Sequence, residues 1–282
     1  MTERVSNANG LNEEQRKFWN GAAGDVWVEA QMQMDAMLKP ISDLAISKAA
    51  AQPGERAVDI GCGCGDTTFA LAEAGASVWG VDISENMLAH AKTRKGDQAN
   101  VAFSVADAAI QSYTPDHDLV FSRFGVMFFD DPKSAFANIR TALKPGGRLV
   151  FMCWQSMKEN MWVSIAGRVI AKYLPPPAGL DPRAPGPFSF ADRDWIEEIL
   201  ASAGFSNIEI ESVSPDLKVG DTVDEAMYIQ GRIGPMARAL AELDEELREQ
   251  AMQEVREGLA EFQRDGGIWI KSAGWLVSAT NS

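Results

Sequence analysis

Apolar positions along this chain follow two alternating periods, and that alternation predicts its elements. Between residues 53 and 154, short strand-like runs are separated by helical ones. Ala57-Val58-Asp59-Ile60 reads as a first strand, Ser77 to Asp82 as a second and Val101 to Ala108 as a third. His117 to Phe124 predicts a fourth. A fifth follows the turn Leu143-Lys144-Pro145-Gly146-Gly147-Arg148-Leu149 and runs to Trp154. Helical spacing fills the gaps. Asp66-Thr67-Thr68 opens one helix that ends at Gly75, and Ser84 caps the next with Glu85 at its positive end. Asp131-Pro132 starts a third, with Phe136, Ile139 and Leu143 on one face. Strand and helix in turn predict an α/β fold, a doubly wound, mostly parallel sheet covered on both faces.

The flanks read differently. From Leu11 to Ala51, residues such as Trp19, Trp27, Met34, Leu38 and Ile41 recur near helical spacing, and Pro53-Gly54 ends that section. Ser156-x-x-Glu159 predicts a capped helix to about Tyr173, broken by Pro175-Pro176-Pro177 and a proline-rich connector to Pro187. A helix over Asp192–Ala203 and a strand over Asn207–Val213 return to the core. Thr222-x-x-Glu225 caps a further helix, Gly234-Pro235 starts another, and Ile268 to Ala279 reads as one last strand. The expected division is a helical cap over 1–52 and a core over 53–154. A helical, proline-rich lid follows over 155–190. The completed core spans 191–282, with a second helical insertion at about 221–266. Long inserted segments with their own helices are usually functional.

The chemistry concentrates at Asp59 to Gly65, which reads D-x-G-x-G-x-G. Glycines at 61, 63 and 65 let backbone approach a ligand closely, and the following helix N-terminus offers free N–H groups. Strand, glycine loop and helix in that order describe a nucleotide-type cofactor site. An acid, Asp82, ends the second strand about 20 residues on, where a carboxylate can accept from ribose hydroxyls. Those features suit a dinucleotide too. However, its third glycine would fall at Asp66, which disfavours an NAD(P)-dependent oxidoreductase.

At these residues the chain resembles the class I S-adenosylmethionine (SAM)-dependent methyltransferases, small-molecule type, similar to the ubiquinone- and menaquinone-biosynthesis group. The acid-terminated third strand, the fourth strand, Asp131-Pro132 and the Leu-Lys-Pro-Gly-Gly turn follow in the family's order, from Ala57 to Trp154. The resemblance implies a Rossmann-like, seven-stranded sheet whose last strand is antiparallel. It implies SAM as donor and S-adenosylhomocysteine (SAH) as product. It also implies cofactor-facing roles for Asp59, Gly61, Cys62, Gly63 and Gly65 in the loop. Asp82, Ile83 and Met87 would face the ribose and adenine, and Asp107 and Ala108 the adenine edge. Ser122 and Phe124 would stand near the methyl group, and Trp19 or Trp27 in the cap would touch the methionine end. A SAM-binding regulatory or assembly protein would share every one of these residues without transferring a methyl group.

Composition narrows the partners. Acidic residues outnumber basic ones by 40 to 26, for a formal charge of −14. Such a surface repels phosphate backbones and anionic lipids, so nucleic acid is not expected as a partner. No apolar run approaches the roughly 20 residues of a membrane span. The start lacks a secretory pattern, and cytoplasmic residence is expected. The three cysteines, Cys62, Cys64 and Cys153, build neither a disulfide framework nor a zinc site, so no metal is expected. His90 and His117 read as solvated or satisfied. No general base stands out, so no catalytic residue is assigned. Met157, Met161, Trp162, Tyr173, Phe188, Phe190, Met227, Tyr228 and Met236 in the inserts suggest an apolar pocket for a small acceptor. Nothing in the sequence sets an oligomeric state.

Overall fold

The structure, a computed structural model, describes residues 12–175, 179, 181–232 and 239–282. Three helices lead: α1 (Glu13–Trp19), α2 (Ala22–Glu29) and α3 (Gln31–Ala49). The strands are β1 (Arg56–Ile60), β2 (Ser77–Asp82), β3 (Val101–Val105), β4 (His117–Arg123), β5 (Leu143–Trp154), β6 (Ser206–Val213), β7 (Asp216–Gly220), β8 (Gln263–Arg264), β9 (Gly267–Lys271) and β10 (Gly274–Thr280). Between and beyond them lie α4 (Asp66–Glu73), α5 (Glu85–Lys95), α6 (Pro132–Arg140), α7 (Met161–Ile170), α8 (Arg193–Ser202), α9 (Val223–Gln230) and α10 (Glu245–Ala260).

Seven strands form the main sheet in the order β3-β2-β1-β4-β5-β10-β6. β1 to β5 run parallel, and β10 is antiparallel to both β5 and β6. Helices on both faces explain why β1, β4 and β5 read as apolar runs rather than alternating ones. Phe121, Phe136, Phe151 and Phe190 are fully buried, and the Phe136 and Phe151 rings lie 5.5 Å apart. Strand order reverses between β1 and β4, opening a crevice at their C-terminal ends where ligands bind in such sheets.

Three departures from the hydrophobic pattern have physical causes. The run Ile268–Ala279 is two strands. β9 pairs with β7 in a second sheet of order β7-β9-β8, and β10 enters the main sheet. The break is pinned by hydrogen bonds: Ser272 Oγ donates to Pro215 O (2.7 Å), and Ala273 N donates to Asn160 Oδ1 (2.9 Å). Both halves bury apolar residues, so one alternating run spans them. The helix expected from Ser156 begins only at Met161. The Glu159 carboxylate accepts from Ser156 N (3.2 Å) and Ser156 Oγ (2.9 Å), which closes a turn instead of capping a helix. Finally, β7, which precedes the insertion at about 221–266 and pairs with β9, has no counterpart among the predicted elements. In α9 the cap at Thr222 forms, with Glu225 N donating to Thr222 Oγ1 at 3.2 Å. Gly234-Pro235, Met236 and Pro176-Pro177 lie outside the described residues.

The second sheet matters because it ties distant segments together: α3 packs against β7 and α7 against β9. Asn160 is the fastening. Fully buried, its Nδ2 donates to Ala273 O (2.9 Å) and Ser156 O (3.1 Å) while its Oδ1 accepts from Ala273 N. Asn160→Ala orphans these buried backbone groups and should lower the unfolding free energy by about 2–3 kcal/mol. Urea titration checks this. A loss below about 0.5 kcal/mol would show that the junction is held by other contacts.

Candidate active site

The glycine loop is built by backbone geometry. Gly61, Gly63 and Gly65 have φ of 65°, 53° and 88°, left-handed values that suit glycine. A Cβ on Gly61 would lie 2.6 Å from Gly125 Cα, so the loops after β1 and β4 touch backbone to backbone at the sheet's reversal. Between them the chain is strained: Phe124 is a non-glycine residue at φ 68°. Its ring stacks on Trp154 with centroids 4.1 Å apart and planes 14° apart, which offsets that cost.

Two acids hold this arrangement. Asp82 Oδ2 accepts from Gly63 N (2.7 Å) and Oδ1 from Ser84 N (2.8 Å), joining the glycine loop to the turn after β2. Each oxygen keeps a second lone pair. Burial raises the Asp82 pKa, opposed by these backbone donors. Asp59 accepts from Thr67 Oγ1 (2.8 Å) and Thr68 Oγ1 (2.6 Å) in the first turn of α4. Its other oxygen is buried without a protein partner. Burial pushes its carboxyl up to about 6 despite the two hydroxyls.

Above this floor lies a cavity of about 330 Å³. Trp19, Trp27, Gly61, Cys62, Gly63, Asp82, Ile83, Met87, Asp107, Ala108 and Phe124 all line it, brought together from six separate segments. Asp59, Gly65 and Ser122 do not. Asp59 is spent on α4, and Gly65 caps that helix from behind the loop. Ser122 lies within β4, fully buried, with Oγ donating to Ile60 O at 2.7 Å, and does not reach the cavity where the methyl group was expected. Its structural task is to tie β4 to β1.

Two lining residues, Gln31 and Asp35, carried no signal in the sequence, whereas Arg123 reads there either as the local partner of an acid or as a group that orients an anionic substrate. Gln31 and Asp35 on α3 face the loop, joined by Asp66 and Arg123. Arg123 donates to Asp66 Oδ2 (2.7 Å) and to Ser42 Oγ, and its other terminal nitrogen stands 3.9 Å from Asp35. Arg94 pairs with Asp35 at 3.2 Å and donates to Cys64 O at 2.7 Å. Burial, then the neighbouring Asp66, raise the Asp35 pKa, while Gln31 and the two arginines lower it. Two acids and two guanidiniums thus stand beside the glycine loop, a charge pattern complementary to a zwitterion. On single-letter patterns they read as ordinary helix and strand-end charges.

Elsewhere the lining is apolar. Met34, Met37 and Leu38 of α3, Met127 and Phe129 near the 3₁₀ turn Gly125–Phe128, and Trp154 form most of it. Of the aromatic and methionine residues read from the inserts, Trp162 alone lines the cavity among the described residues; Met157 and Tyr228 are exposed and Phe190 belongs to the core. The wall comes mainly from the N-terminal cap and the core. Leu217 of β7 and Arg232 of the second insertion complete it. Among the described residues no cluster could hold a metal ion. All three cysteines are buried, and burial raises their thiols, Cys64 to about 12, so they stay protonated.

The sequence family described as a methyltransferase domain matches residues 58–151, the stretch from β1 to β5. Demethylmenaquinone methyltransferase of Staphylococcus carnosus is 30% identical over 176 residues, covering 56% of this chain and 71% of that protein. The chain belongs to the class I SAM-dependent methyltransferase family. Phosphoethanolamine N-methyltransferase 1 of Zea mays is 38% identical over 109 residues, 37% of this chain, and the chain spans only 22% of its length. The fold is shared with Haemonchus contortus phosphoethanolamine N-methyltransferase 2 in complex with S-adenosyl-L-methionine. The TM-score is 0.60 and the identity 21%, over 94% of this chain and 59% of that one. In this family member, the loop, Asp82, the charged cluster and the apolar side chains line one cavity.

Asp59 supplies a test of how that floor is held. Its folded pKa of about 6 exceeds the ordinary 3.8, so the folded state carries the extra proton between them. That contribution to stability is full below about pH 4 and lost as pH rises through about 6. Asp59→Asn keeps an acceptor for Thr67 and Thr68 and removes the charge. The stability difference, wild type minus variant, should therefore fall by about 2–3 kcal/mol between about pH 4 and pH 7. Denaturant titrations across that range measure it, and a difference independent of pH would refute the buried-acid description.

Proposed function

We propose that this chain binds SAM in the cavity and transfers its methyl group to a small, apolar or aromatic organic acceptor. The observation that carries the reading is the cavity's lining, which combines the glycine loop, its acids and a zwitterion-complementary cluster with many apolar side chains. The residues fit the cofactor. A Cβ on Gly63 would lie 2.8 Å from Cε of Met87, another residue of the cavity lining, and each Asp82 oxygen keeps a lone pair beyond its backbone donor. Asp82 would hold the ribose, Asp107 and Ala108 the adenine edge, and Gln31, Asp35 and Arg123 the amino-acid end.

The chemistry supplied by such a cofactor is a methyl carbon activated by a positively charged sulfur. The chain's own task is positioning and drying. Phe124 and Trp154, fixed by their stacking, would set the plane of the acceptor beside the charged cluster. Met34, Met37 and Leu38 exclude water from that space. The carboxylates among the described lining residues are Asp35, Asp66, Asp82 and Asp107, each engaged by a partner in the structure or assigned to the cofactor. The acceptor therefore brings its own nucleophile, a phenol, an amine or a carbon acid. The insertions 155–190 and about 221–266 act as lids, with Trp162 and Arg232 among their contributions to the lining. No helix among the described residues is long and apolar enough to cross a membrane.

Titration calorimetry with SAM, SAH and NADH tests the donor. SAM and SAH should bind and NADH should not. Asp82→Ala, which removes a charged acceptor, should weaken SAM at least about 100-fold. Unchanged affinity would sink the assignment. A screen of phenols, amines and quinols with methyl-labelled SAM tests the acceptor. Label carried by charged, hydrophilic acceptors in place of apolar ones would overturn that half of the reading.

A further inference from the structure

Helix α1 is clasped at each end by an asparagine, and the two clasps grip different loops of the crevice. At its C-terminal end, Asn20 Nδ2 donates to Ile83 O (2.9 Å) and Oδ1 accepts from Glu85 N (2.8 Å). That clasp holds the turn after β2. At its N-terminal end stands Asn12, only 3% exposed and at φ 57°, a left-handed angle that asparagine tolerates better than most residues. Its Nδ2 lies 2.9 and 3.0 Å from the two oxygens of Asp107. Its Oδ1 accepts from Asp130 N (2.9 Å), its N donates to Asp130 Oδ2 (2.6 Å), and its O accepts from Arg16 N (2.8 Å). Every polar atom of this buried residue is engaged.

The second partner of Asp107 is Ala109 N, which donates to Oδ1 at 2.9 Å. One backbone donor on one oxygen leaves a carboxylate free to turn about its bond to Cβ. The straddling amide of Asn12 removes that freedom by holding both oxygens. A carboxylate has about four lone-pair sites, so Oδ2 retains an acceptor site. Asn12 and Asp107 both line the cavity.

We propose that Asn12 is a positioning residue. It fixes the Asp107 carboxylate so that its remaining lone pair meets the exocyclic amino group of an adenine, which couples base recognition to the N-terminal cap. The inference rests on the SAM reading above and adds to it which residue makes the site selective for a 6-amino purine. Neutral and acting through a carboxylate, Asn12 touches no reacting atom.

The experiment is calorimetry on the full chain with two ligands, SAH and S-inosylhomocysteine, whose 6-oxo group turns an acceptor toward Asp107. Asn20→Ala is the control, because its clasp never touches Asp107. Wild type should prefer SAH by about 100-fold or more, since an acceptor facing a carboxylate leaves both unpaired. Asn12→Ala should cut that preference at least about tenfold through weaker SAH binding, with S-inosylhomocysteine changed less than about twofold. The retained inosyl affinity also shows that the variant is folded. Asn20→Ala should weaken both ligands equally and leave the preference intact. Equal losses for both ligands in Asn12→Ala would overturn the proposal and reduce Asn12 to a fastener of the cap. Tighter SAH binding in that variant would overturn it too, by showing that Asn12 competes with the base. Wild type that binds neither ligand would instead remove the SAM reading beneath it.

Discussion

Where the sheet reverses, the backbone of Gly61 rests against that of Gly125 with no room for a side chain on either. Much of the crevice depends on that contact. It forces the loop after β1 into left-handed angles and leaves Phe124, the residue before Gly125, in a strained one. The strain is held by neighbours: Phe124 stacks on Trp154, and Ser122 binds the carbonyl of Ile60 one residue before Gly61. An added methyl at the contact would spread the two loops and move Asp82, Cys62 and Phe124 together.

Carboxylates then lock what the glycines allow. Asp82 joins the glycine loop to the turn after β2, Asp59 anchors the first turn of α4, and Asp107 receives the cap through Asn12. Taking such groups out of water is costly, and hydrogen-bond donors offset part of the cost. Raised pKa values at Asp59, Asp82 and Asp35 show that the offset is incomplete. The remaining capacity of these acids suits a ligand bearing donors. Sites that bind tightly often keep such unspent polar groups.

The N-terminal helices do two jobs at once. α1 closes over one part of the crevice by its asparagines, while α3 contributes both Asp35 and the apolar trio Met34, Met37 and Leu38 to the lining. The 3.6-residue period makes this possible, because residues 34, 35 and 38 fall on neighbouring lines of one helix face. β7 then packs against α3, so the second sheet is joined to the N-terminal cap as well as to the core, and Leu217 of that strand also lines the cavity.

The alternating periods, the loop from Asp59 to Gly65 and the acids at 82 and 107 were readable because each depends on residues close in sequence. Strand order, cofactor class and most of the cavity floor followed from them. The distribution of labour within the site was not readable. Asp59, Gly65 and Ser122 belong to the right segments yet support the floor from behind: the Asp59 and Ser122 side chains turn to α4 and to Ile60, and the Gly65 backbone caps α4. Asn12, Gln31, Asp35 and Gly125 carry no local pattern that marks them for the site, since the crevice segments they meet lie tens of residues away. The same holds for the run Ile268–Ala279, whose split between two sheets is decided by Asn160 and Pro215. Local chemistry writes elements and loops into the chain. Contacts between distant segments, which exist only once the sheet has closed its neighbours together, decide what each residue faces.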